Sequence, residues 1–377
     1  MTSVDLSTLY GCLKTLYSPK WRSKKRIVFG TIAFLAISAI HLINAFTRFL
    51  DEIFFPDYRS IRITKPLIIT ANPRSGTTFL HRLISLDEER FTSFKLRHAL
   101  LSSISMTRLM DFLAPIDRSL GSPLKRLIDK AFDKGFVRWE GIHKVGFNEP
   151  EEDEALFFFL YASPAVYGVY PFFREVPSMR FADRLPERKR RALVRYYRSS
   201  VKRFLYTQGR GRTFLLKTVL LNGRVKIMHE VFPDANVVYL VRSPYDVLPS
   251  FASMFTSFWK KHSPDILEDS DLTREWIKLG VDYYKHFHNN RHLFSGSQLA
   301  VYQYDQLVKN PREVVGDIYR RFDIALSPGF ADRLDGELKK QSKYQSTHDY
   351  SLERYGVRRE WVYQNLNEIF ETYGLKR

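Results

Sequence analysis

The segment that most restricts the fold runs from Pro66 to Ile84 and reads PLIITANPRSGTTFLHRLI. Its first five residues form a short, continuous apolar run, which is typical of a parallel strand buried on both faces. A tight turn with Pro73 and Gly76 follows, and Thr77 and Thr78 open an amphipathic helix. This order of strand, turn and helix points backbone N–H groups, a helix dipole and hydroxyls at one place. We therefore expect the turn to bind a phosphate group.

Two common nucleotide-binding patterns are absent from this segment. The GxxxxGK[ST] loop of nucleoside triphosphatases is missing, so no adjacent Lys and Ser/Thr are placed to hold a metal ion and a γ-phosphate. The GxGxxG fingerprint of dinucleotide-binding folds is missing as well. The alternative is an ordinary turn with Thr at the start of the helix, but it leaves the clustering of Pro, Arg, Gly and two Thr unexplained.

Three further apolar runs predict buried strands, and long stretches with helical periodicity separate them. They are Thr213 to Lys217, Asn236 to Val241, and Leu299 to Tyr304. The alternation of strands and helices predicts an α/β fold with three layers around a central parallel sheet. Residues 79–210 are expected to form a large, mainly helical insertion between the first two strands.

Two motifs resemble those of the sulfotransferase family, whose members use 3′-phosphoadenosine 5′-phosphosulfate. Pro73 to Thr78, PRSGTT, is similar to the family's 5′-phosphosulfate loop, in the bacterial-type branch that has Arg where cytosolic hormone enzymes have Lys. The second motif, VRSPYDVLPSF, begins at Val241 after a predicted strand, and its Arg242 and Ser250 have the spacing of the family's 3′-phosphate motif. The similarity extends from about residue 50 to the end, and it implies a P-loop-kinase-like fold.

The resemblance also implies which residues bind the phosphosulfate donor and stabilise the transferring group. Donor binding is expected from Arg74, Ser75, Gly76, Thr77, Thr78, Phe79, Arg242 and Ser250. Sulfonate transfer is an in-line displacement in which negative charge accumulates on the leaving bisphosphate, and cations stabilise that charge. Arg74 and Lys217, the last residue of the second predicted strand, are expected to supply these cations. No catalytic metal is needed in this scheme.

A general base is also needed to take the proton from the acceptor's hydroxyl or amine. The run EPEEDE, residues 149–154, resembles the family's acidic patch, and Glu149 and Glu154 are our candidates. The alternative is a helix start, where Pro and acidic residues are common. Many relatives have a Trp-Glu pair about twenty residues after the loop, but this chain has FKLRH there, which makes His98 a third candidate. A histidine that many relatives have after the second strand is replaced by Leu221.

The N-terminal region contains an uncharged apolar stretch of 21 residues from Ile27 to Thr47, and basic residues precede it. As a helix it would be about 30 Å long, which is one hydrocarbon thickness. We expect residues 1–50 to associate with a membrane and residues 51–377 to form the sulfotransferase domain. The alternative is a helix buried in the domain. A spanning helix with this charge pattern would put the domain outside. Only about twenty residues, with no Ser/Thr/Pro-rich stem, separate the helix from the first predicted strand, which argues against that outcome. We therefore favour an interfacial or re-entrant helix and a cytosolic domain.

The charge balance favours anionic partners, because 59 Lys+Arg against 41 Asp+Glu give a formal net charge of +18. A phosphate-bearing donor and acidic lipid headgroups both fit this surplus. The basic run from Arg184 to Arg203 is interpreted as a helix with a solvated face, so no nucleic acid partner is expected. The single cysteine, Cys12, excludes an intrachain disulfide.

The acceptor is expected to be a hydroxyl-bearing molecule, with a membrane lipid or a glycan as the leading classes. Aromatic residues are dense between Tyr161 and Phe173, where they could line an apolar or sugar-stacking cleft or simply pack a core. A catalytically silent nucleotide-binding protein tethered to a membrane is the competing hypothesis, since the Trp-Glu and histidine positions differ from those of many relatives.

Overall fold

The structure is a computed structural model that describes residues 5–134, 149–209, 211–341 and 351–377. The helices and strands are, in chain order, α1 (Leu6–Leu16), α2 (Lys24–Phe54), β1 (Leu67–Ala71), α3 (Thr77–Ser85), β2 (Phe91–Ser93), α4 (Leu96–Leu100), α5 (Ile104–Ser119), α6 (Pro123–Lys134), α7 (Glu154–Phe158), α8 (Glu187–Gln208), β3 (Thr213–Thr218), α9 (Val225–Val231), β4 (Asn236–Val241), α10 (Pro244–His262), α11 (Asp271–Asn290), β5 (Leu299–Gln303), α12 (Tyr304–Lys309), α13 (Pro311–Arg321), α14 (Phe330–Gln341) and α15 (Arg359–Thr372).

The chain forms two compact units that are each built from several chain segments. The first unit contains Met1–Ile63, Ser93–Met179 and Pro186–Gly211, and the second contains Thr64–Thr92, Arg180–Leu185 and Arg212–Arg377. The predicted insertion therefore begins later than residue 79, since α3 and most of β2 belong to the second unit.

A five-stranded sheet in the order β2-β3-β1-β4-β5 forms the centre of the second unit. Strands β3, β1, β4 and β5 are parallel, and Ile69 of β1 pairs with Lys217 of β3 and with Val238 of β4. The four predicted strands are thus confirmed, with bounds that differ by at most one residue. The short strand β2 was not predicted, because three residues are too few to show a periodicity.

Helices cover both faces of this sheet, as a three-layer fold requires. On one face, Ile69 and Leu240 join a buried core with residues of α3 and α13 such as Leu83 and Ile318. On the other face, the ring of Tyr239 in β4 stacks on Phe287 of α11 with 3.8 Å between the centroids. The predicted α/β fold with a central parallel sheet is confirmed.

Helix α2 in the first unit is longer than the apolar stretch that predicted it, because 31 residues from Lys24 to Phe54 are helical. Its buried residues are Arg26, Gly30, Ala33, Ile37, Asn44, Thr47, Arg48 and Asp51. Many of its other apolar side chains are exposed. Within the described ranges, α2 is the one helix whose length and composition would allow it to cross a membrane.

Candidate active site

Pro73 to Thr78, which we call the phosphate loop, form the turn between β1 and α3 and the start of α3, and they have the backbone geometry of an anion-binding loop. Arg74 has φ +73° and Gly76 has φ +85°, so both lie in the left-handed region. Turns of this kind bring successive backbone N–H groups to one concave side. The first helical hydrogen bonds run from the N–H groups of Phe79 and Leu80 to the carbonyl of Gly76. The N–H groups of Thr77 and Thr78 therefore precede the helical ladder, at the positive end of the helix dipole.

Glycine is required at residue 76 for a second reason, which is the close approach of a tyrosine ring. A Cβ atom at Gly76 would lie 2.8 Å from ring carbons of Tyr304, the first residue of α12. No ordinary contact is that short, so any side chain at residue 76 would displace the ring or the turn. The loop is thus fixed from two sides, by its own φ angles and by Tyr304.

Ser75 places a buried hydroxyl in the loop. The residue is 1% exposed, and its Oγ atom has no hydrogen-bond partner among the described parts of the chain. A buried polar group without a partner is costly. An oxygen atom of a bound phosphate or sulfonate would satisfy this hydroxyl, so the loop fits the anionic group that the sequence predicts for it.

Lys217 lies beside the start of α3, although it is 140 residues away from Thr77 in the sequence. Its side chain is completely buried, and its Nζ atom donates to the hydroxyl of Thr78 over 3.2 Å. The pairing of Lys217 with Ile69 places it two residues before the end of β1. A buried ammonium group is costly in the absence of anionic or hydrogen-bonding partners. Lys217 therefore places a cation beside the first residues of α3, where the phosphate loop ends.

The second predicted motif contacts the phosphate loop directly. Arg242 follows β4, and its Nη1 atom donates to the carbonyl of Arg74 over 3.1 Å. Ser250 in α10 is 4% exposed, and its Oγ atom accepts from Nε of Arg74 over 3.1 Å. The two motifs thus form one cluster in the second unit, with two guanidinium groups and a buried hydroxyl.

Sequence reasoning did not assign a role to Tyr304, which contacts both motifs. The guanidinium group of Arg242 lies 4.2 Å from the centroid of the Tyr304 ring, a distance typical of a cation–π contact. The same ring packs against Gly76. Tyr304 directly follows β5, as Arg242 directly follows β4. Its place at the end of a predicted strand was the signal that could have identified it.

The three candidate bases all lie in the first unit, whereas the residues predicted to bind the donor lie in the second unit. Glu149 is exposed, and its carbonyl accepts from the N–H of Leu96 over 3.2 Å. The structure therefore brings the acidic run next to the segment that contains His98. Glu154 begins the five-residue helix α7 and accepts a hydrogen bond from the hydroxyl of Ser163.

His98 is a weak base in its folded environment. The residue is 4% exposed, and its Nδ1 atom accepts from the N–H of Lys95 over 3.2 Å. Burial, with smaller contributions from the charges of Arg97 and Lys95, lowers the pKa of His98 to about 3. The imidazole is therefore neutral at physiological pH, and its ring packs against Phe204 as a core residue does. These features are those of a core histidine.

Among residues 5–134, 149–209, 211–341 and 351–377, no group of three or more His, Cys, Asp or Glu side chains is arranged to hold a metal ion.

Known proteins resemble this chain in sequence and in fold. A model of the sulfotransferase family matches residues 66–328. The omega-hydroxy-beta-dihydromenaquinone-9 sulfotransferase Stf3 of Mycobacterium bovis is 24% identical over 324 residues, which cover 83% of this chain and 76% of the relative. Stf3 of Mycobacterium tuberculosis matches with the same values.

Two crystal structures share the fold at low sequence identity. Sulfotransferase STF1 from Mycobacterium tuberculosis has a TM-score of 0.72 and 20% identity, with 96% of this chain and 92% of that chain covered. Sulfotransferase STF9 from Mycobacterium avium has a TM-score of 0.75 and 16% identity, with 100% and 98% covered. Since the family match extends over residues 66–328, well over half of the 377 residues, the chain belongs to the sulfotransferase family of enzymes.

Proposed function

We propose that this enzyme transfers a sulfonate group from 3′-phosphoadenosine 5′-phosphosulfate to a hydroxyl group of an amphiphilic lipid acceptor. The observation that carries the proposal is the cluster in which Arg74 contacts both Arg242 and Ser250. One donor molecule with phosphate groups at the 3′ and 5′ positions of its ribose would engage both motifs of this cluster. Family membership supports the same donor.

The phosphate loop would hold the 5′-phosphosulfate end of the donor. Backbone N–H groups at Gly76, Thr77 and Thr78, which precede the first helical hydrogen bond, suit the phosphate oxygens, and the buried Ser75 hydroxyl gains a partner. Arg242 and Ser250 would hold the 3′-phosphate, because a guanidinium group and a hydroxyl can both donate to a single phosphate. The ring of Tyr304 keeps the guanidinium group of Arg242 in place.

Arg74 and Lys217 would stabilise the transition state. When the acceptor oxygen attacks sulfur, the bond from sulfur to the bridging oxygen of the bisphosphate breaks, and negative charge accumulates on that oxygen. Fixed cations stabilise this charge without reorganising during the reaction. Lys217 is suited to the role because it is fully buried and bonded to Thr78, which holds its ammonium group beside the loop.

The acceptor's proton would pass to a carboxylate rather than to His98. Glu149 and Glu154 are retained as the candidates, and the lowered pKa of His98 argues against that residue. The base and the acceptor pocket are proposals that rest on the resemblance of residues 149–154 to the family's acidic patch.

A lipid acceptor is supported by two independent facts. Stf3 is named for an acceptor that is a hydroxylated menaquinone, and it is a relative over 83% of this chain. Helix α2 also exposes apolar side chains that suit a membrane surface. A glycan is the second acceptor class. In the same proposal, residues 1–50 provide membrane association, and residues 51–377 perform transfer on the cytosolic side of the membrane.

Transfer of a radiolabelled sulfonate would test this proposal. The purified full chain is incubated with labelled donor and, in parallel, with a membrane lipid extract or a soluble glycan fraction. We expect label in the lipid fraction, and none with the Arg74→Ala variant. Label in the glycan fraction alone would move the acceptor to the second class. If neither fraction is labelled while the donor still binds, the catalytically silent alternative is correct.

A further inference from the structure

Helix α2 has a polar face turned toward the protein, and charged groups near its C-terminal end hold it there. Asp51 is fully buried, and its carboxylate accepts from the N–H groups of Ile104 and Ser105 over 2.9 and 2.8 Å. It also pairs with Arg203 of α8 over 2.9 Å. The polar face of α2 therefore caps the start of α5 and is locked to α8 by a buried ion pair.

Two more polar residues of α2 extend this attachment. Arg48 is 7% exposed and donates to the carbonyl of Ser102 over 3.1 Å and to the hydroxyl of Ser200 over 2.9 Å. Asn44 donates to the carbonyl of Leu100 over 2.7 Å and accepts from the N–H of Ser102 over 2.9 Å. These bonds satisfy backbone groups of the segment that leads into α5.

The N-terminal half of α2 is attached as well. The carbonyl of Gly30 accepts from the hydroxyl of Tyr170 over 2.7 Å, and a Cβ atom at Gly30 would lie 2.8 Å from the side chain of Leu16. The helix is therefore part of the first unit along most of its length.

The opposite face of α2 is apolar and exposed. Nine large side chains along this face, which we call the outer face, are 43–66% exposed: Val28, Ile32, Leu35, Leu42, Ile43, Phe46, Phe49, Ile53 and Phe54. Helix α5, which packs against α2, adds exposed Leu109, Phe112 and Ile116. Exposed apolar surface on this scale marks an interaction site.

The polar attachments exclude a helix that crosses the bilayer alone. For α2 to span, Asn44, Arg48 and Asp51 would have to leave their partners and enter hydrocarbon, or take the start of α5 and part of α8 with them. Unpaired charges and unsatisfied backbone groups are both costly in hydrocarbon. The outer face alone is available to lipid, so the helix axis must lie along the membrane surface.

A second copy of the chain fits the outer face less well than lipid does. The spacing of Val28, Ile32, Leu35, Leu42 and Phe46 matches one seam of a coiled coil, but such seams are flanked by charged residues that select the partner. No charged residue occurs from Ile27 to Thr47. The charges stand instead at the N-terminal end of the helix, where Arg22, Lys24 and Lys25 are exposed.

We propose that the first unit docks on an anionic membrane through the outer face of α2, with the helix lying in the plane of the interface. Apolar side chains of the outer face enter the region between headgroups and acyl chains, while Arg22, Lys24 and Lys25 contact anionic headgroups. This inference concerns how the enzyme is held at a membrane, and it does not depend on the identity of the donor or the acceptor.

Vesicle flotation tests the docking surface. The full chain is mixed with vesicles of equal parts phosphatidylglycerol and phosphatidylcholine, and bound protein is quantified. We expect Ile32→Glu with Phe46→Glu to abolish binding. Leu326→Glu, which changes an apolar side chain of similar exposure in the second unit, should leave binding unchanged. Lys24→Ala with Lys25→Ala should weaken binding about 25-fold, because each basic residue near an anionic surface contributes about fivefold.

Cysteine labelling distinguishes an in-plane helix from a spanning one. Cysteines are introduced singly as Lys25→Cys and Ser60→Cys, which are exposed positions before and after the outer face, and the protein is added to preformed vesicles. A membrane-impermeant maleimide should label both positions equally, while the wild-type protein with its buried Cys12 gives the background. Protection of one position only would show that the helix spans and would overturn the proposal.

Two other outcomes would also overturn it. The first is that the wild-type protein fails to float with anionic vesicles. The second is that it forms a dimer in the absence of lipid, and that Ile32→Glu with Phe46→Glu dissociates this dimer. In the second case the outer face would be an interface between two copies. Transfer of labelled sulfonate to a detergent-dispersed acceptor is measured as a separate assay. It distinguishes a failure of docking from a failure of the proposed chemistry.

Discussion

The Nε atom of Arg74 donates to the Oγ atom of Ser250 over 3.1 Å, which joins two residues that are 176 positions apart in the sequence. The bond connects the phosphate loop to the second motif through the protein's own side chains.

Arg74 and Arg242 should affect different kinetic parameters. Arg74→Ala should lower kcat at least about 100-fold, because it removes a cation from the charge that develops in the transition state. Arg242→Ala should mainly raise KM for the donor, since the 3′-phosphate is remote from the reacting sulfur. Steady-state kinetics with varied donor concentration measures both. Equal effects of the two substitutions on both parameters would show that the roles are assigned wrongly.

The protein should bind the product 3′,5′-adenosine bisphosphate and be stabilised by it. At a ligand concentration of about 100 times Kd, the free energy of unfolding should rise by about 2.7 kcal/mol. Adenosine 5′-monophosphate, which lacks the 3′-phosphate, should bind the wild-type protein more weakly than the bisphosphate does. Its affinity should be the same for Arg242→Ala as for the wild-type protein. Calorimetry tests this, and absence of heat with millimolar bisphosphate would contradict the donor assignment.

Gly76→Ala should destabilise the protein more than Gly211→Ala, which is an alanine substitution at another glycine with a positive φ angle. Alanine in the left-handed region costs about 1–2 kcal/mol. Gly211 has φ +77°, and a Cβ atom at this residue would have no described atom within 4 Å. Gly211→Ala therefore measures this strain alone. At Gly76 the Cβ atom also meets the Tyr304 ring at 2.8 Å.

Urea unfolding of both variants, with and without Tyr304→Ala, separates the two contributions to the Gly76→Ala effect. Tyr304→Ala should reduce the additional cost at Gly76 and should leave the cost of Gly211→Ala unchanged. Equal costs for the two alanine substitutions would mean that the tyrosine ring does not restrain the loop.

Stability should fall as the pH decreases from 6.5, and His98 should account for part of this fall. Because burial lowers the pKa of His98 to about 3 in the folded state, the unfolded chain binds one more proton between pH 6.5 and pH 3. The contribution of His98 is complete above pH 6.5 and is lost toward pH 3, by at most about 1.4 kcal/mol per pH unit. His81, whose pKa burial lowers well below its usual value, should act in the same direction.

Urea unfolding at pH 7 and pH 5.5 measures this dependence. His98→Gln should flatten it, whereas His292→Gln, which changes an exposed histidine, should not. A wild-type slope that survives in His98→Gln would show that other groups cause the pH dependence.

The strands and the phosphate loop were predictable because their signals are local. A continuous apolar run and a turn with Gly76 need no distant partner to be recognised. Tyr304 was assigned to the end of a strand, yet it begins α12, and its contacts with Gly76 and Arg242 depend on the order of strands in the sheet. His98 was a candidate base because of its place in the sequence. Its burial, which lowers its pKa, depends on contacts with residues remote in sequence such as Phe204, and these could not be predicted.

The buried pair of Asp51 and Arg203 also means that the N-terminal helix is not a detachable module. Removing residues 1–48 would take away Asn44 and Arg48, and the carbonyl groups of Leu100 and Ser102 would lose the side chains that donate to them. Such a truncation would test folding as much as location. The proposed docking is therefore better tested by replacing exposed apolar side chains of α2 than by shortening the chain.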